Sequence, residues 1–203
     1  MATFRLAEKR GTKRAMTARR PRRPRPPLNP EKLEELALSY VGRFATTRAK
    51  LRSYLGRKVR ERGWEPPTPP DLEALAERYS RSGLIDDAAF ALAKSQSLAR
   101  RGYGKRRLAE SLSTAGVEDD DRVEAHSHAD AEAAAAALCF AQRRRIGPFA
   151  PSVSHDRKAR EKAIAAMVRA GHPLSLALTI VNLAPGTEIE PSDLTPLNQH
   201  TAK

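Results

Sequence analysis

The feature that most constrains this chain is a repeat. Leu51, Leu108 and Ile164 stand 57 and 56 residues apart, and Leu55, Leu112 and Val168 repeat the same two separations. Each pair is one helical turn apart, within a short basic segment that runs to a glycine, Gly63, Gly116 or Gly171. A short helix with one apolar stripe cannot bury it alone, so this recurrence implies tandem helical modules that cover one another's apolar faces. The alternative is a spacing shared by chance among three apolar helices. Aromatics make up only 5% of the chain, and an interior built largely from Leu and Ala is helical material. The expected fold is all-α, with about three tandem three-helix repeats in an elongated, curved array.

Order is expected to begin at Asn29-Pro30-Glu31, an N-cap, a proline in the first turn and an acid beside the positive helix end. Leu33, Leu36, Ala37, Tyr40, Val41 and Phe44 then fall on one helix face. A second helix starts at Thr46 or Thr47, carries Leu51, Leu55 and Val59 inward, and stops at Gly63, with Trp64 capping the pair. Glu65 to Asp71 reads as a stiff connector whose Thr68 caps a helix bearing Leu72, Leu75, Ala76 and Tyr79. Asp86 or Asp87 caps the next helix, and Gly102-Tyr103-Gly104 is a turn before a helix that ends at Gly116. An Ala-rich helix runs from about 120 to 144, and two further helices flank Gly171. The expected units are a disordered basic arm (1–28), a partial first module (29–65), a second (66–117), a third (118–184) and a flexible tail (185–203).

The formal net charge is +13, and residues 1–30 supply +9 of it, with ten Lys and Arg against Glu8. Fixed cations release counterions from phosphates, so a polyanionic partner is favoured. The single cysteine, Cys139, forms no intramolecular disulfide, and its place beside Phe140 on an Ala-rich face suggests a small core residue. The apolar run Ala133 to Phe140 is too short to span a bilayer, and the prolines at 21, 24, 26 and 27 disfavour a helical transit peptide. A cytoplasmic protein with no membrane partner is expected.

Signals for catalysis are weak. His126 and His128 point apart on a helix and read as solvated; Asp119 to Asp121 lack the spacing of a calcium loop and read as a helix cap. No Gly-rich phosphate loop or nucleophile elbow occurs, so no catalytic residue, metal ligand or cofactor is expected. The basic residues are more informative. Arg48, Lys50, Arg52, Arg57, Lys58, Arg60 and Arg62 crowd one helix; Arg100, Arg101, Lys105, Arg106 and Arg107 flank the glycine turn; Arg143, Arg144 and Arg145 end the Ala-rich helix. Interspersed acids such as Glu61, Glu110 and Glu132 fit ordinary solvated charge, whereas recurrence at matched module positions fits a shared anion-binding face.

Two stretches resemble the RecX family of regulators of the RecA recombinase: Gly83-Leu84-Ile85-Asp86-Asp87-Ala88-Ala89-Phe90-Ala91, and Arg101-Gly102-Tyr103-Gly104-Lys105-Arg106-Arg107-Leu108 through Gly116-Val117. The family pattern is G-L-[IL]-[DN]-D-x-x-[FY]-A followed by R-G-x-G-x-x-[RK]-[IL], a leucine and G-[IV]. Lys105 stands where the family often has proline, and Ala170-Gly171-His172 departs from the usual Arg/Lys-Gly-Phe ending of the third module. In these motifs Leu84 and Ile85 form a hydrophobic latch and Phe90 a buried aromatic; with Gly83, Asp86, Asp87, Gly102, Tyr103, Gly104, Leu108 and Gly116 they position helices. The resemblance implies a monomer that lodges in a RecA filament on single-stranded DNA, with double-stranded DNA a further candidate partner. It would restrain ATP hydrolysis, strand exchange and co-protease activity, and so act on recombination and the SOS response, without chemistry of its own. Arg57, Lys58, Arg100, Arg101, Lys105, Arg106 and Arg107 are the expected contacts, with Arg143, Arg144 and Arg145 behind them. The rival reading is a helical protein that binds DNA directly, as a transcription regulator would.

Overall fold

The computed structural model describes residues 26–153 and 156–194; most of the expected arm, residues 1–25, lies outside them. Nine α-helices are formed among the described residues: α1 (Pro30–Val41), α2 (Arg48–Arg62), α3 (Leu72–Arg81), α4 (Asp87–Arg100), α5 (Lys105–Ala115), α6 (Val123–Ala131), α7 (Ala133–Arg144), α8 (Arg157–Arg169) and α9 (Leu174–Asn182). Side-chain oxygens satisfy the first free amides of several. Asn29 Oδ1 accepts from Lys32 N at 3.0 Å, Thr47 Oγ1 from Lys50 N at 3.2 Å and Asp86 Oδ1 from Ala89 N at 2.8 Å. The cap of α3 is Asp71, at 2.9 Å from Ala74 N, and not Thr68. Pro69 and Pro70 disfavour helical backbone in the residues before them, so the helix cannot start until they are passed.

Residues 26–28, expected to belong to the disordered arm, are held against the first unit. Leu28 is fully buried; its N–H donates to Gly63 O and its carbonyl accepts from Glu65 N, each at 2.9 Å, forming a β-bridge with Trp64. Arg62 holds the carbonyl of Pro26 through two nitrogens.

Three hydrophobic cores follow one another along the chain. Leu33, Ala37, Leu51, Leu55, Leu75, Ala76, Tyr79 and Ile85 make the first, from α1, α2 and α3. Ala91, Leu98, Leu108, Leu112, Ala115, Ala125 and Ala129 make the second, from α4, α5 and α6. Ala137, Phe140, Ala141, Met167, Ala177 and Ile180 anchor the third, from α7, α8 and α9. Helix α3 thus packs with the helices before it, whereas the expected boundary at 66 placed it with those after. Its stripe of Leu75, Ala76 and Tyr79 meets Leu33 and Leu55 across the proline connector.

The single Ala-rich helix expected over 120–144 is broken into a 3-10 turn (Asp120–Arg122), α6 and α7. Glu132, at φ −91° and ψ 4°, re-aims the chain so that Ala125 and Ala129 face the second core while Ala137 and Phe140 face the third. The stretch after Pro185, expected to be loose, packs Ile189 and Leu194 on the third core. Helix α1 ends at Val41, so Phe44 leaves the apolar face and stands 58% exposed.

The repeated residues fall on α2, α5 and α8, the middle helix of each core. Leu51, Leu55, Leu108 and Leu112 are buried, and Ile164 and Val168 pack at the edge of the third core beside the fully buried Met167. These helices stack end to end. The start of α2 meets the end of α5, where Thr47 Oγ1 donates to Ala115 O at 2.6 Å. The start of α5 meets the end of α8, where Gly104 N donates to Ala170 O at 3.0 Å and Arg106 N to Gly171 O at 3.3 Å. The second contact sets free amides against free carbonyls and the first sets a capping hydroxyl against one; both align the helix dipoles head to tail.

Candidate nucleic-acid interface

Close approach at both joints explains the motif glycines, against backbone at the second and against the Ala49 methyl at the first. A Cβ on Gly104 would lie 2.3 Å from Gly171 O, and one on Gly102, whose φ is +78°, 2.8 Å from Phe140 N. A Cβ on Gly116 would lie 2.3 Å from that of Ala49. His172 reinforces the second joint: its Nε2–H donates to Gly102 O at 3.0 Å, and its ring tilts against Phe140. The ring is neutral there, because burial lowers its pKa and Nδ1 has no partner for a second proton.

The other motif secures the first joint. Gly83 adopts φ +74° after α3. Ile85 is buried in the first core, but Leu84, expected beside it in a latch, is 51% exposed. Phe90 packs half-buried on the second core. Asp87 is buried and accepts from Arg48 N at 3.0 Å and Arg48 Nε at 3.3 Å. Burial pushes its carboxyl up while these bonds oppose the shift. The same guanidinium reaches Asp121 at 2.8 Å, Glu118 at 3.3 Å and Glu77 at 3.5 Å. One arginine of the expected basic patch therefore ties α2 to α3, α4 and the acidic turn, and Asp121 is its partner rather than a helix cap.

Between α2, α4 and α5 lies a groove of about 430 Å³ lined by Lys50, Lys94, Arg101, Tyr103, Arg107, Ser111 and Thr114, with Glu110 as its acid. Glu110 takes Arg107 at 3.3 Å, and no ion pair to Lys50, Lys94 or Arg101 occurs among the described residues. Lys50 Nζ sits 4.3 Å from the Phe90 ring centre and the Arg101 guanidinium 5.2 Å from that of Tyr103. Burial, and then the neighbouring Lys94 charge, lower the pKa of Lys50. Three uncompensated cations converging beside two aromatic faces suit phosphates with attached bases, or an acidic protein surface.

Of the expected contacts, Arg101 and Arg107 meet in this groove with Tyr103. Lys50 joins from the basic helix of the first unit; Lys94, one turn after Phe90 on α4, carried no sequence signal beyond that spacing. The remaining cations lie elsewhere. Arg57 and Lys58 share Glu61, at 3.7 and 2.7 Å. Lys105 pairs with Asp130 at 2.6 Å, and Arg106 donates to Val168 O across the second joint. Arg143 donates to the carbonyls of Arg100 and Arg101, at 3.2 and 3.1 Å, closing the end of α4. Arg144 lies over Phe140, exposed Arg145 adopts φ +54°, and Arg100 is exposed.

His126 and His128, read as solvated, are half-buried, and His128 Nδ1 lies 3.1 Å from Ser95 Oγ. Cys139 is also half-buried rather than internal, with Sγ 3.7 Å from Arg100 O. No group of three or more His, Cys, Asp or Glu is arranged to hold a metal among the described residues, and no described helix is long and apolar enough to cross a membrane.

The family profile of the second three-helix domain of RecX matches residues 86–125, which hold α4, α5 and the start of α6. The chain is similar to the regulatory protein RecX of Myxococcus xanthus, with 32% identity over 172 residues, covering 78% of this chain and 88% of that one. It is 40% identical over 89 residues to the regulatory protein RecX of Mycobacterium avium, covering 43% of this chain and 49% of the other. The crystal structure of RecX from Lactobacillus salivarius superposes with a TM-score of 0.54 at 18% identity, over 74% of this chain and 93% of that one, so the fold is shared. With a relative of this similarity matched over most of its length, the chain belongs to the RecX family.

Proposed function

We propose that the chain regulates the RecA recombinase by binding its filament on single-stranded DNA, without catalysing a reaction. The observation that carries this reading is the groove between the first two units, where Lys50, Lys94 and Arg101 converge beside Tyr103 with no counter-charge but the Glu110 already held by Arg107. Such a groove takes filament phosphates or a carboxylate-rich recombinase surface, and a ligand there touches both units and senses their spacing. The repeating units follow the three cores, and the protein works as a cytoplasmic monomer. ATP hydrolysis by the recombinase on single-stranded DNA tests the reading, with this chain titrated in and a basic protein of similar charge as control. Inhibition well below one chain per recombinase monomer, weakened by Lys94→Ala with Arg101→Ala, is expected. No effect beyond the control refutes it.

A further inference from the structure

The first unit carries a second feature that the groove does not use. Tyr40 and Tyr54 stack face to face, with ring centres 4.2 Å apart and planes 11° from parallel. Phe44 continues the series at 5.5 Å from Tyr40 and tilted by 50°. The two tyrosines lean on the first core, but Phe44 belongs to no core and is 58% exposed. Phe44 is held against Tyr40, which is itself stacked on Tyr54, and its free face is flat, apolar and open to water. Cations border the series: Arg57 and Lys58 each lie 5.8 Å from the Tyr54 ring centre and share the single carboxylate of Glu61. Lys50, Tyr54 and Lys58 are spaced by four residues on α2, so the ring series and the groove lie along one line of that helix.

We infer that Phe44, backed by Tyr40 and Tyr54, is a base-stacking platform for single-stranded nucleic acid. Unpaired bases offer the flat faces that the terminal ring lacks, while the strand's phosphates follow Lys58 and Lys50 toward the groove. A duplex cannot use the site in this way, because its bases are already stacked on one another. This binding needs no recombinase, so it stands or falls separately from the filament reading.

The test measures fluorescence anisotropy of the full chain with a labelled thymidine oligonucleotide of about twenty residues, against an abasic strand of equal length and charge. The native chain is expected to bind the strand with bases at least about fivefold more tightly, since one stacked base contributes on the order of that factor. Phe44→Ala should reduce that preference by about fivefold while leaving affinity for the abasic strand and for duplex DNA within about twofold. Phe44→Trp should retain it. Because Phe44 lies outside the cores, both variants should keep the native melting transition, and that is checked first. Equal affinity of the native chain for the two strands overturns the inference. So does a Phe44→Ala effect of equal size on both, or a Phe44→Trp loss as large as that of Phe44→Ala.

Discussion

Replacing Gly104 by alanine isolates the close approach that joins the second and third units. The residue sits at φ −86°, which alanine adopts freely, so the substitution adds no backbone strain of its own. Its methyl would lie 2.3 Å from Gly171 O, 2.5 Å from Gly171 C and 2.7 Å from His172 N, where ordinary contact begins at 3.4 Å. Backbone cannot rotate away as a side chain does, so the two units must part by about 1 Å. Three hydrogen bonds span the gap: Gly104 N to Ala170 O at 3.0 Å, Arg106 N to Gly171 O at 3.3 Å, and His172 Nε2 to Gly102 O at 3.0 Å. At roughly 1 kcal/mol each, with an overpacking cost of about 1–3 kcal/mol as the alternative to separation, the expected loss is about 2–4 kcal/mol. Gly83→Ala is the comparator: at φ +74° with nothing within 4 Å, it has only the left-handed backbone cost of about 1–2 kcal/mol. Urea denaturation gives the two losses, and hydrogen exchange at the Arg106 amide locates the first. If Gly104→Ala costs no more than Gly83→Ala and the Arg106 amide stays protected, the joint does not rest on backbone contact.

Arg48→Ala leaves Asp87 buried with its guanidinium partner gone, and should cost about 2–4 kcal/mol in denaturation. Adding Asp87→Asn should recover part of that loss, and a double-mutant cycle showing no coupling would contradict the hub. His172 is neutral in the fold and its pKa is lowered by burial, so the unfolded chain binds the proton more readily. Its contribution is therefore complete above its ordinary pKa of about 6.5 and is lost as pH falls through that value, by at most about 1.4 kcal/mol per pH unit. His172→Gln should flatten this part of the stability profile between about pH 7.5 and 5.5; an unchanged profile rejects the assignment. Lys50→Ala with Lys94→Ala should weaken single-stranded DNA binding and reduce the salt slope by about 1.4, two phosphate contacts' worth. An unchanged slope would place the phosphates elsewhere.

The helices were readable because their signals are local. Asn29, Thr47 and Asp86 cap the helices that begin beside them, and the 57- and 56-residue separations mark the middle helix of each core. Partnership between helices was not local and was not readable. The proline connector gives no sign that α3 folds back on α1 and α2, and uniform alanine on both sides of Glu132 hides the point where the chain changes cores. The same limit applies to charge. Arg48 looks like any other cation of its helix, because its partners at 77, 87, 118 and 121 meet only in space. Arg101, Tyr103 and Arg107 of the groove lie within one motif, whereas Lys50 and Lys94 reach it from helices of different units. Phe44 continued the apolar spacing of α1, but the helix stops before reaching it.

Main chain lies against main chain at the Gly104–Gly171 contact, and side-chain identity has little leverage over the distance there. Interfaces made of interlocking side chains drift in angle as those side chains change, whereas this one keeps a spacing set by amide and carbonyl groups that every sequence shares. The second and third units therefore keep a separation that substitution elsewhere in them has little means to alter. A partner with its own regular repeat could be matched by such a spacer across the second and third units at once, and one residue larger than glycine at position 104 would put the third unit out of step with the second.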